Sequence, residues 1–256
     1  MNPEFYSKVA DRFGGYSSGA RRTEVFPDGD PEDAFDAIAT ALSGPDARLL
    51  DVGCADGRNL LRLAPRYGHV VGIDLSQEML ASAKLHQGDL STVDFELRDA
   101  GSTGFRADYF DVITSRRGPV FPDEYRRVLR PGGSLVHLGI GGHDVRELKE
   151  VFGRGQLFGR WSGPSVELET RKSLEEAGFT VVREQTFHYE EFFHTSADLD
   201  VFLRQVPIFE DYDSVADRER FGDYVQRAGS ESGIRLARHW FLLHARKNAE
   251  RTGGAE

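Results

Sequence analysis

Two periods of hydrophobic patterning alternate along this chain. Runs of six or seven mostly apolar residues occur at 48–53, 69–74, 93–98, 109–115 and 134–140, and each predicts a strand. Between them, at 58–66, 76–86 and 122–130, apolar residues recur every three or four positions, which predicts helices. Strand–helix alternation of this kind is the pattern of an α/β fold with a mostly parallel sheet. Ahead of it, Asp30-Pro31-Glu32 opens a further helix over 31–42, with Asp30 as cap and Pro31 in the first turn, and Gly44-Pro45 closes it. Ser76 caps the helix at 76–86.

The pattern changes after Gly141-Gly142. HDVRELKEVF reads as a helix, followed by a glycine- and aromatic-rich loop to Trp161. A helix at 167–177 precedes a long strand that starts near 179. Residues 195–232 read as an insertion, with helices at 197–205 and 214–228 around Pro207. GIRLARHWFLLHARK then forms a last strand, antiparallel to its neighbour. The expected organisation is a single domain over 1–247 with a tail at 248–256. Within it, 1–44 is an N-terminal segment and helix, 45–140 the alternating half, and 141–247 the half that carries the insertion.

Composition narrows the classes. Charged residues make up 29% and hydrophobic residues 39% of 256 residues, the balance of a soluble globular protein. No apolar run approaches the ~20 residues needed to span a bilayer, and the N-terminus lacks a secretory apolar segment. The single cysteine, Cys54, has no partner for an internal disulfide, which fits a reducing cytoplasm. A net charge of −10 argues against nucleic acid, which asks for a basic face. Arg126, Arg127 and Arg130 fit the solvated face of a helix. No metal-ligand spacing is present, so no metal is expected.

The chemistry is carried by LLDVGCADGRNLLRL at 49–63 and by HVVGID, whose Asp74 follows Asp51 by 23 residues. A strand that breaks into a glycine turn and re-enters as a helix presents free backbone N–H groups. An acid at the end of the next strand can accept both hydroxyls of a ribose. The spacing G-x-x-x-G differs from the G-x-G-x-x-G of dinucleotide sites, and no P-loop lysine follows. Alanine disfavours positive φ, so Ala55 is expected at an ordinary backbone angle.

These residues resemble motif I of the class I S-adenosylmethionine-dependent methyltransferases, D-x-G-x-G-x-G, with Ala55 in place of the middle glycine. FELRDAGSTGF at 95–105, YFDVITSRRG at 109–118 and VLRPGGSLV at 128–136 extend the resemblance over about 46–140. It implies a Rossmann-like sheet of seven strands ordered 3-2-1-4-5-7-6, the last one antiparallel, with S-adenosylmethionine as cofactor. By the same resemblance Asp51 lies near the cofactor's amino-acid end. Gly53, Cys54, Ala55 and Gly57 form the turn, Asp74 and Leu75 hold the ribose, and Asp99 and Ala100 lie against the adenine. Met79 lies near the adenine, Ser115 near the cofactor at the end of the fourth strand, and Tyr16 in an N-terminal lid within 1–44; the resemblance makes 45–140 the cofactor-binding half and 141–247 the acceptor-side half. For Met79 and Tyr16, packing is the alternative.

The acceptor is expected beyond the ends of the fourth and fifth strands, where ligands of open α/β sheets collect. Those segments carry Arg116, Arg117, His143, the 152–164 loop, 187–194, and an aromatic stretch with Phe202, Phe209 and Tyr212. Such a wall suits a small organic molecule. His143, His188 or His194 is the candidate base, Arg116 with Arg117 the candidate carboxylate clamp, and Glu190 and Glu191 alternatives for an amine. The expected function is methyl transfer to a small-molecule acceptor. Two alternatives stand beside it. GIGGHDVRELKEVF resembles part of the bacterial ribosomal RNA guanine methyltransferases, although their four-cysteine zinc module is absent. The second alternative is a non-catalytic S-adenosylmethionine-binding protein.

Overall fold

A computed structural model describes residues 19–249. Its strands are β1 Arg22–Val25, β2 Gly44–Val52, β3 Tyr67–Asp74, β4 Val93–Leu97, β5 Phe110–Arg116, β6 Leu129–Ile140, β7 Phe179–Phe193, β8 Gly229–Ser230 and β9 Gly233–Lys247. Its α-helices are α1 Pro31–Ala41, α2 Arg58–Leu63, α3 Gln77–Gln87, α4 Pro122–Val128, α5 Arg146–Phe152, α6 Val166–Glu176, α7 Ser196–Leu203 and α8 Arg218–Ala228.

One sheet organises them, in the order β1-β7-β9-β6-β5-β2-β3-β4, with β8 paired to β9. From β4 to β6 the strands run parallel. β9 is antiparallel to both β6 and β7. The seven long strands thus follow the expected 3-2-1-4-5-7-6 order with the last one reversed. β1 was not expected. It is a four-residue edge strand, antiparallel to β7 through Arg22↔Phe193 to Val25↔Glu190. RTEV carries no alternation that marks a strand; its pairing with β7 defines it.

Local chemistry sets the helix boundaries. Asp30 accepts the Glu32 N–H at 2.8 Å and starts α1. Ser76 accepts the Met79 N–H at 3.2 Å and starts α3. The helix expected over 58–66 breaks into α2 and a 3-10 turn at Ala64–Arg66, because Pro65 donates no hydrogen bond. The helix expected to 130 stops at Val128, where Leu129 pairs with Phe110 and begins β6.

The central strands are buried on both faces, as parallel sheets covered by helices are. On one face Phe35 and Ile38 of α1 and Leu60 of α2 pack with Leu49, Tyr189 and Trp240. On the other, Tyr125 of α4 and Leu174 of α6 pack with Ile113 and Phe241. A third cluster belongs to the insertion. There Leu199, Phe202, Phe209 and Tyr224 close on Leu148 and Phe152 of α5, with Phe152 stacked on Phe209 at 4.4 Å. Each such side chain contributes ~2 kcal/mol by leaving water. α5 and the insertion are thereby fixed over the carboxyl ends of β6 and β7 and the amino end of β9.

Candidate cofactor and acceptor site

β2, β3 and β4 are in parallel register, Val52 beside Ile73 and Asp74 beside Leu97. Their carboxyl ends therefore bring Asp51, Asp74 and Asp99 to one side of the sheet. All three line a single cavity of about 690 Å³. The turn after β2 is built from left-handed residues: Gly53 at φ 70°, Ala55 at φ 46° and Gly57 at φ 73°. Ala55 thus departs from the ordinary angle expected of it. Its N–H donates to Asp74 Oδ2 at 3.0 Å, while Gly53 N–H donates to the Ile73 carbonyl at 2.9 Å. These bonds hold the alanine in a region that costs it about 1 kcal/mol. Gly57 is required twice over. Besides its φ, a Cβ there would meet the Phe95 ring at 2.7 Å.

Asp51 is buried, and Thr114 Oγ1 donates to its Oδ1 at 2.6 Å. Burial raises its pKa to about 6, against the Thr114 hydrogen bond and the Arg116 charge, which lower it. Asp74 is also raised by burial, although the N–H groups of Ser76 and Ala55 hold its charged form. Oδ1 accepts the Ser76 N–H and Oδ2 the Ala55 N–H, the Leu75 N–H adds a third, and four lone pairs on two oxygens leave room for a ligand hydroxyl. Asp99 is exposed and accepts the Gly101 N–H at 2.8 Å. Cys54 lines the turn; burial pushes its thiol well above the ordinary range, as befits an inert packed side chain.

The residues present fit S-adenosylmethionine. A buried carboxylate that is reluctant to ionise alone suits an ammonium or sulfonium, a second with free lone pairs suits a diol, and a third suits an exocyclic amine. Among the described residues ten acids and seven arginines line the cavity, three more negative than positive, which favours a cation. No cluster of described residues has the make-up of a metal site.

The candidate acceptor end of the cavity is walled by β1, β7, β9 and the segment that follows α7. Phe26, Tyr189, Phe202, Pro207 and Trp240 form its apolar part. Its charges are spent on one another. Arg238 donates to Asp144 at 2.9 Å and to Glu191 at 2.8 Å, and Arg22 lies 3.0 Å from Glu191. Arg116 pairs with Glu32 and Asp36, and Arg117 with Glu32. Burial raises the Glu32 pKa, but Arg117 and Arg116 outweigh it, and the net shift is downward.

Asp51, Gly53, Cys54, Ala55, Asp74, Leu75, Asp99, Ala100 and Arg116 line this cavity. Gly57, Met79 and Ser115 do not. Met79 is fully buried in the core under α3, and Ser115 is buried beneath the Gly118–Pro119 turn, where its Oγ faces the Pro119 carbonyl at 3.4 Å. Tyr16 lies outside the described residues. The candidate bases are also displaced. His188 stacks on His239 at 4.4 Å, and His143 donates its backbone N–H to His239 Nδ1 at 3.2 Å. Together they form a histidine cluster near Glu167 of α6, with His143 and His188 exposed and His239 buried, and it is not part of the cavity wall. The carboxylate clamp is likewise absent, because α1 delivers Glu32 and Asp36 onto both arginines. Glu190 and Glu191 are held by Arg235 and Arg238 and are not free for an amine. Sequence reasoning missed Arg22, Gln205, Arg238 and Trp240. Arg238 and Trp240 share a face of β9 at period two, but only the register with Tyr189 and Phe187 shows that this face meets the cavity.

The sheet order, the glycine turn and the three strand-end acids define a Rossmann-like methyltransferase fold. Residues 49–133 match the family model described as methyltransferase domain, and that segment is similar to the class I S-adenosylmethionine-dependent methyltransferases. It is 39% identical over 103 residues to nocamycin O-methyltransferase of Saccharothrix syringae, a match covering 36% of this chain and 37% of that protein. It is 35% identical over 134 residues to 2-methyl-6-phytyl-1,4-hydroquinone methyltransferase of Synechocystis, covering 47% of this chain and 42% of that protein. The matches span well under half the length of either relative. A putative methyltransferase from Bacillus halodurans shares the fold, with a TM-score of 0.63 at 20% identity over 86% of this chain and 100% of that one. No helix among the described residues is long and apolar enough to cross a membrane.

Proposed function

We propose that this protein binds S-adenosylmethionine between the ends of β2, β3 and β4 and transfers its methyl group to a small-molecule acceptor held under the insertion. One observation carries this reading: Asp51, Asp74 and Asp99 end three adjacent parallel strands and face one cavity across a turn of left-handed residues. Asp51 would face the cofactor's ammonium, Asp74 the ribose hydroxyls and Asp99 the adenine amine. When bound, the cofactor supplies a methyl carbon already activated by a sulfonium. The chain's own part is to hold the partners in line and to exclude water, which alone can supply a large effective molarity. The relatives named for O-methylation and for a hydroquinone acceptor support a small organic substrate.

Titration calorimetry tests this. S-adenosylmethionine and S-adenosylhomocysteine are expected to bind in the micromolar range, and NAD not at all. Asp74→Ala should weaken both by tenfold or more, because the ribose loses a charged acceptor. Equal affinity of the variant and the parent would remove the ribose from Asp74.

A further inference from the structure

Two buried polar groups in the acceptor wall have no partner among the described residues. Gln205 Oε1 and Trp240 Nε1 find no hydrogen bond there, although Gln205 is 3% exposed and Trp240 7%. Such groups are rarely left unmade, because each forfeits its hydration on folding. Both side chains line the 690 Å³ cavity, at the end away from Asp74. Gln205 follows α7, which the insertion's own core fixes in place. Trp240 lies on β9, its ring flanked by the guanidinium groups of Arg117 at 4.6 Å and Arg238 at 5.1 Å. An amide presents an acceptor and donors, and an indole N–H presents a donor only. A ligand that meets both must therefore donate and accept.

The charges around these two groups decide the rest. All seven cavity-lining arginines are ion-paired with carboxylates. An acceptor carboxylate or phosphate would have to break one of these pairs. Glu24, Asp144 and Glu191 are committed to Arg22 and Arg238, so an ammonium meets the same barrier. What remains on offer is aromatic surface from Phe26, Tyr189 and Phe202, plus one donor–acceptor amide and one N–H.

We propose that the acceptor is an uncharged phenol-type molecule whose ring lies against Phe26, Tyr189 and Phe202. Its hydroxyl side is recognised by Gln205 and Trp240, which act as specificity-determining residues. This rests on the methyltransferase reading, from which it takes the location of the acceptor end.

The test uses three probes of one shape: 4-propylphenol, 4-propylbenzoate and 4-propylanisole. The whole protein is titrated with each by calorimetry at pH 7.5, with and without saturating S-adenosylhomocysteine. In Trp161→Phe, Trp240 is the single tryptophan, and its emission reports the same end of the cavity directly. The phenol is expected to bind and to shift that emission. The benzoate should bind at least tenfold more weakly, and the anisole, which cannot donate, several-fold more weakly. Gln205→Met should lose about tenfold in phenol affinity, melt at the same temperature or higher, and keep its affinity for S-adenosylhomocysteine. Trp240→Phe should lose several-fold. Benzoate binding as tightly as phenol, or Gln205→Met folded with phenol affinity unchanged, overturns the proposal. Failure of S-adenosylhomocysteine to bind would overturn the cofactor reading instead, and the phenol titration without it still reads the pocket.

Discussion

Replacing the Asp51 carboxylate by an amide removes a charge that the folded chain keeps nearly out of water. Its pKa is raised from 3.8 to about 6, so the folded state binds this proton more tightly than the unfolded state does. The sign follows directly: the charged form opposes folding above pH 6, and that penalty is relieved as pH falls from 6 towards 4. At about 1.4 kcal/mol per unit, Asp51→Asn should stabilise the free protein at pH 7 by roughly 2–3 kcal/mol, measured as a urea midpoint. The same variant should lose S-adenosylmethionine, since an amide cannot offset an ammonium. In the parent, affinity should fall as pH drops below about 6, by up to tenfold per unit, because binding then has to displace the proton. A flat affinity from pH 5 to 8 would take Asp51 out of the cofactor site. Neighbouring turn residues give an opposed pair. Ala55→Gly relieves φ 46° and should be neutral or stabilising by up to about 1 kcal/mol with binding retained. Gly57→Ala drives a methyl against Phe95 at φ 73° and should cost about 2–4 kcal/mol in the same assay.

At the scale of elements, α1 does more than cover the sheet. Its first two turns place Glu32 and Asp36 on Arg116, and Glu32 on Arg117, so the helix and the end of β5 are tied by a half-buried ionic cluster. Removing one partner strands a charge in a partly desolvated place, which is costlier than the pair is worth. Glu32→Ala should therefore destabilise by about 2–3 kcal/mol, while the Glu32→Ala/Arg116→Met double variant recovers part of it; a coupling near zero in the cycle would show the pair to be idle. Because Arg117 and Arg116 depress Glu32 despite its burial, this support is present at neutral pH and lost only as pH falls through its lowered pKa. Asp30-Pro31 announced α1 in the sequence, and the apolar runs announced β2 to β6, since caps and period are local signals. What α1 touches was not legible. Arg116 read as a free clamp because its partners lie 84 and 80 residues away, and only the packing of Phe35 and Ile38 onto the sheet brings them together. The histidines failed for a similar reason: strand parity sends His188 and His239 to the face of α6. β1 was missed because an edge strand needs one partner and no pattern.

Over the whole molecule, the fold collects acids at one end of the sheet. Part of the net charge of −10 faces the cavity, whose described lining carries three more acids than arginines. A cleft of one sign with low-dielectric walls focuses its field on what enters it. The difference between cofactor and product then becomes an electrostatic one. S-adenosylmethionine carries a sulfonium that S-adenosylhomocysteine lacks, while both keep the ammonium, the carboxylate, the ribose and the adenine. The proposed contacts to Asp74 and Asp99 are common to the two and should cancel in their ratio. The sulfonium's interaction with the acidic wall does not cancel, and salt screens it as the Debye length shrinks from about 14 Å at 0.05 M to about 4 Å at 0.5 M. Raising NaCl across that range should therefore weaken S-adenosylmethionine several-fold more than S-adenosylhomocysteine, as read by paired calorimetric titrations at pH 7.5. If the two affinities fall in parallel, the acidic lining acts only through its direct hydrogen bonds, and the cavity's field plays no part in telling cofactor from product.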